Sequence, residues 1–144
     1  MATSTKDLDL SDIWLFSTVS SRDLKTIRRA TEEVTVPAGR VLVEEGTIGR
    51  EFFIIVDGKA SVRRNGRKIA TLGPGQYFGE LALLDRRPRS ATVVAETEMQ
   101  LLVLGQRQFN GVLDAVPALS RKLLAAMAAR VRESDTKAAA LISH

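Results

Sequence analysis

The chain contains no cysteine, and its one histidine is the terminal His144. The first absence excludes disulfide and thiolate chemistry and fits a cytoplasmic setting. The second leaves no imidazole base for a serine or cysteine triad and no histidine set for a metal centre. Asp7, Asp9 and Ser11 alternate as in a calcium loop, but the glycine and closing glutamate that such a loop needs are missing. No metal site and no cofactor are therefore expected. No apolar run approaches the roughly 18 to 20 residues needed to cross a bilayer. Met1 to Leu10 lacks the basic head and apolar block of a secretory signal. Phosphate motifs are absent as well: in Gly73-Pro74-Gly75-Gln76-Tyr77-Phe78 a phenylalanine stands where the third glycine of the dinucleotide fingerprint belongs, and no Gly-Lys-Ser/Thr follows for a P-loop. With these classes removed, no enzyme reading survives.

What remains is a chain of 144 residues with 21 basic and 17 acidic side chains. That is the size of one ordinary domain. Its mild positive excess suits a small anionic ligand. Direct nucleic-acid binding would gather the basic residues on one recognition element, and no such element is visible.

Residues 1–144 read as a single domain in three parts. Helices are expected over about 9–31: Leu10, Ile13, Trp14 and Ser17 follow helical spacing, with Trp14 and Phe16 placed on the core. Ser20 and Ser21 then introduce a second apolar face of Leu24, Ile27 and Ala30. From about 33 to 105 short β-rich runs alternate with turn residues, as in an antiparallel sandwich or jelly-roll-like barrel. Asp57-Gly58 and Asn65-Gly66 are dipeptides favoured in two-residue hairpins. Eight of the ten glycines lie between Gly39 and Gly79. Over about 106–140 two C-terminal helices are expected, one carrying Phe109, Val112, Leu113 and Val116. The other opens at Pro117 and bears the stripe Leu119, Leu123, Leu124, Met127 and Val131. The fold class is α+β.

The run from Phe78 to Thr92 fits neither plain core nor plain loop. Gly79 permits a tight backbone. Glu80-Leu81-Ala82-Leu83-Leu84 spans about one helical turn, whose first amides are unpaired and suit an anion. Pro88 ends any helix before Arg89. The β-branched Thr92-Val93-Val94 reads as a strand able to hold Arg89 toward the turn. By residue type alone, Glu80 is an acid at a helix start, and Arg89 is either a structural ion-pair partner of Glu80 or Asp85 or a planar donor to two phosphate oxygens.

These residues, FGELALL followed after three positions by PRSAT, resemble the phosphate-binding cassette of cyclic nucleotide-binding domains. Gly79, Glu80, Leu81, Ala82, Arg89 and Ala91 fall at that family's spacing, and the resemblance extends over most of residues 14 to 133. It implies that Arg89 and the backbone amides of Leu81, Ala82 and Ala91 bind the cyclic phosphate, and that Glu80 accepts from the ribose 2′-hydroxyl. In the family, alanine after the arginine accompanies adenine and threonine accompanies guanine. Ser90 lies between, so cyclic AMP is expected ahead of cyclic GMP, and Ser90 bonds either the phosphate or a backbone group. Arg130, at the edge of the last apolar stripe, is either a solvated side chain or a lid over the base. The resemblance implies a regulatory module whose C-terminal helix reports occupancy to an effector outside it, with a homodimer possible through that helix. Two alternatives stand beside it: a DNA-binding transcription-factor fragment without its helix-turn-helix, and a degenerate scaffold that has lost its ligand.

Overall fold

The runs Phe52–Val56 and Leu101–Leu104 show no polar alternation, the pattern of strands covered on both faces. A computed structural model of the chain describes residues 10–142, with the side chains of 81, 82, 85, 131 and 133–142 outside that description. In it the two runs lie in β3 (Glu51–Asp57) and β8 (Met99–Gly105), paired antiparallel at the centre of one sheet. That sheet has the order β1-β8-β3-β6, with β1 at Glu32–Val36 and β6 at Tyr77–Phe78. The second sheet runs β2-β7-β4-β5, with β2 at Val41–Val43, β4 at Ala60–Arg64, β5 at Arg67–Leu72 and β7 at Thr92–Ala95. The two four-stranded sheets form a sandwich, not a closed barrel.

Alternation along β3 and β8 then explains both cores. Phe53, Ile55, Met99, Leu101 and Val103 pack with Val36, Ala60, Phe78 and Val93 between the sheets. Phe52, Ile54, Val56, Leu102 and Leu104 face the helices, meeting Phe16, Ile27, Phe109, Val112 and Leu119. Those helices are α1 (Ser21–Ala30), α3 (Gln106–Ala115) and α4 (Pro117–Ile142). Ser20 caps α1, its hydroxyl accepting from the amide of Asp23 at 3.2 Å. Pro117 stands first in α4, where a missing N–H costs nothing.

Phe52 joins these layers. It is buried, with ring centroids 5.1 Å from Phe109 and 5.7 Å from Tyr77. Phe52→Ala is expected to cost about 3 to 5 kcal/mol of unfolding free energy through lost burial and a residual cavity. Urea denaturation measures this, and a loss below about 1 kcal/mol would show that the ring is not a keystone.

Three local expectations are corrected. The first apolar stretch forms two short 3-10 turns, Leu10–Asp12 and Trp14–Phe16, in place of a helix. Phe16 is buried there, but Trp14 is half exposed, with the Lys122 ammonium 4.1 Å above its ring. Asn65-Gly66 is a hairpin turn with both residues at positive φ (54° and 78°), joining β4 to β5. Asp57-Gly58 is not. At that point the chain crosses from one sheet to the other, and only Gly58 has positive φ.

Candidate functional site

Arg89 is held first by its backbone. Its amide donates to the carbonyl of Thr47 at 2.7 Å, and its own carbonyl accepts from the Gly46 amide at 2.8 Å. Beside it Ile48 and Pro88 form an antiparallel bridge. The β2–β3 loop is thus sewn to the segment that carries the arginine. The Thr92 hydroxyl adds a further stitch by accepting from the Glu45 amide at 2.9 Å.

The side chain is fixed just as firmly. Nη1 donates to the Gly79 carbonyl at 2.9 Å, and Nη2 donates to the Glu51 carbonyl at 2.7 Å. Arg89 is buried, and two glycines make room for it. A Cβ at Gly49 would overlap the guanidinium, and one at Gly79 would lie 2.7 Å from Nη1 and 2.8 Å from the Glu51 carbonyl. Gly79 also has φ of +96°, a region side chains avoid. Burial pulls the Arg89 pKa below its ordinary value, while the Glu51 and Glu80 carboxylates pull it back. Neither carboxylate forms an ion pair with Arg89 in the described residues, and the side chain of Asp85 lies outside the description. The structural ion pair with Glu80 does not form.

Glu80 opens α2 (Glu80–Asp85) and is buried. A buried carboxylate needs a partner, and it finds one fifty positions away: Arg130 Nη1 donates to Glu80 Oε1 at 3.0 Å, forming an ion pair with α4. Arg130 is therefore not merely solvated, although its side chain is half exposed. Leu81 and Ala82 occupy the first turn of α2, with their side chains outside the described residues. Arg86 ends this helix with φ of 58°, so the left-handed residue, not Pro88, is the stop.

Gly79, Glu80, Arg89, Ser90, Ala91 and Arg130 all line one cavity of about 590 Å³. Val43, Val62, Leu72 and Val93 add an apolar part to its lining. The volume falls within the range of small-molecule sites, about 300 to 1,000 Å³. Anion-matching donors together with apolar lining suit an amphipathic anion.

Sequence reasoning missed several residues that build this site. Gly49 and the carbonyl of Glu51 form the seat of Arg89, and Arg64 lines the cavity, its Nε donating to the Ser90 carbonyl at 3.1 Å. Tyr77 also lines it, its phenol pKa raised chiefly by burial and then by Glu80, with Arg130 opposing. The crowding of glycines between 39 and 79 was the available signal for Gly49, since a glycine without a turn to make is often there for close approach.

Comparison with known proteins follows the same lines. Residues 33–115 match the model of the cyclic nucleotide-binding domain family. The chain is 36% identical over 113 residues to a cAMP-dependent protein kinase regulatory subunit of Schizosaccharomyces pombe, covering 78% of this chain and 27% of that protein. Its fold is similar to the crystal structure of the Thermus thermophilus catabolite activator protein, with a TM-score of 0.82 and 30% identity over 88% of this chain and 62% of that one. It is also similar to the regulatory domain of Toxoplasma gondii PKA solved with cAMP, with a TM-score of 0.66 and 34% identity over 72% of this chain and 41% of that one. The chain spans between 27% and 48% of the length of curated relatives such as the fission-yeast subunit and a Thermus cyclic AMP receptor protein. With more than half its residues matched by the family model and Arg89, Glu80 and Gly79 gathered on one cavity, the chain belongs to the cyclic nucleotide-binding domain family.

Proposed function

We propose that the cavity binds a 3′,5′-cyclic nucleotide, cyclic AMP ahead of cyclic GMP, and that the chain is a single non-enzymatic sensor module. The observation that carries this reading is the seat of Arg89: a guanidinium fixed by two carbonyls keeps further N–H donors for phosphate oxygens and loses little side-chain freedom on binding. The amides of Leu81, Ala82 and Ala91 complete the phosphate contacts. Glu80 accepts from the ribose 2′-hydroxyl, and the apolar lining covers the base. Kinship with a cAMP-dependent regulatory subunit and with a domain solved with cAMP supports adenine.

The Glu80–Arg130 pair supports a role for α4. A sugar hydroxyl arriving at Glu80 competes with Arg130 for the same carboxylate, so occupancy bears on the helix through that pair. The ligand shifts α4 only by its difference in affinity for the two arrangements. An effector outside this segment, or a second copy, would read the shift, and the module would work in the cytoplasm.

Isothermal calorimetry with cyclic AMP tests the reading, which fails if the native protein gives no saturable heat. Glu80→Ala is expected to weaken cyclic AMP by about tenfold or more, since a hydrogen bond to a charged group contributes about 1.5 to 3 kcal/mol. It should also narrow the preference over the 2′-deoxy analogue. Unchanged discrimination would remove Glu80 from the sugar.

A further inference from the structure

A second concave surface lies behind the cassette. It is an open cleft of about 560 Å³ whose walls include Ile48, Gly49, Arg50, Arg86 and Arg107, together with two glutamines. The three arginines come from separate segments: the β2–β3 loop, the loop after α2, and the first turn of α3. Among the described residues no acidic side chain lines the cleft, and none of these guanidiniums makes a hydrogen bond or ion pair. Arg63, Arg64 and Arg130, by contrast, are engaged: Arg63 bonds the Ser61 hydroxyl, Arg64 the Ser90 carbonyl and Arg130 the Glu80 carboxylate.

Three like charges brought to one concavity repel, and the cost is relieved when an anionic group enters. The shape indicates which kind. The cleft is open, and its rim carries Ile48, 62% exposed, in the same patch as the charges. Arginines around an apolar contact are the composition of a protein interface. We propose that this cleft is a docking surface for an acidic segment of a partner protein, whose carboxylates pair with Arg50, Arg86 and Arg107 while an apolar side chain covers Ile48. Such a partner would touch both loops that frame the phosphate arginine, because Gly49 is shared between the cleft and the seat of Arg89, and Ile48 is bridged to Pro88.

The test uses a short synthetic peptide of glutamates interrupted by leucine, titrated in saturating cyclic AMP so that the cassette is not competing for acid. Calorimetry gives affinity, and amide chemical shifts give location. Saturable binding is expected, with shifts concentrated at residues 48–50, 86 and 106–108. The exposed charge reversals Arg50→Glu and Arg107→Glu, combined in a protein whose melting temperature is unchanged, should weaken it about tenfold or more. Replacing the leucines of the peptide by serine should weaken it further, through Ile48. Absence of binding, undiminished affinity in the double variant, or shifts spread over the whole basic surface would overturn the proposal. So would tripolyphosphate binding at the same residues while the peptide does not, since the cleft would then be a small-polyanion site. The variants locate the peptide whether or not cyclic AMP binds, so a failure here is distinct from a failure of the cassette reading.

Discussion

Replacing Arg89 with alanine is expected to lower the affinity for cyclic AMP by about a hundredfold or more. Two charge-assisted hydrogen bonds to phosphate oxygens, each contributing about 1.5 to 3 kcal/mol, set that scale. Arg89→Lys should recover only part of it, because an ammonium is a point charge and does not present two coplanar donors. The alanine variant also leaves the carbonyls of Gly79 and Glu51 without their donors. A stability loss of about 1 to 3 kcal/mol should therefore accompany the binding loss. Calorimetry and urea denaturation on the same preparations separate the two effects. If the alanine variant binds cyclic AMP with native affinity while folded, the phosphate is not held by Arg89 and the functional proposal fails.

The two glycines that seat Arg89 should respond differently to the same methyl group. In Gly49→Ala the obstructing atoms are the far end of a long side chain, and the backbone at Gly49 is not in the left-handed region. The arginine is expected to swing out, weakening cyclic AMP about tenfold or more, as loss of at least one charge-assisted bond would. That also leaves the Gly79 and Glu51 carbonyls without donors, at the same cost of about 1 to 3 kcal/mol in stability as Arg89→Ala, with no backbone strain added. In Gly79→Ala the new Cβ meets the Glu51 carbonyl as well as Arg89, at φ of +96°. A conformation so disfavoured adds about 1 to 3 kcal/mol of strain, so stability should fall further there, and binding with it. Equal stability losses in the two variants would contradict this division of roles.

Legibility in the sequence followed the range of the interactions. The β-rich span from Val34 to Leu104 (apart from the short β6 at Tyr77–Phe78), the cap at Ser20, the hairpin at Asn65-Gly66 and the helix opened by Pro117 rest on neighbours in the chain, and each stands where the residues placed it. Trp14 and the Asp57-Gly58 turn did not, for the same reason in opposite directions. Apolar spacing put Trp14 inward, yet the tight 3-10 turns rotate it toward solvent under Lys122. Turn chemistry predicted a hairpin after β3, yet both faces of β3 are covered and its edges belong to β8 and β6, so β4 goes to the other sheet.

The sequence by itself determined which residues are proposed to meet the phosphate and the sugar, because the glycine, acid, alanine and arginine of the cassette lie within thirteen positions at a spacing that resembles the family's. Only the tertiary structure decided how they are held and what they touch. The carbonyl of Glu51, the space at Gly49, the guanidinium of Arg130 on Glu80 and that of Arg64 on Ser90 come from segments 26 to 50 positions distant. Any residue offers a carbonyl, and any surface helix can carry an arginine, so neither type marks its partner in advance. Pairing of the β2–β3 loop with the Arg89 segment and the docking of α4 across the cassette select those partners, because folding brings the groups within hydrogen-bond reach while water is excluded.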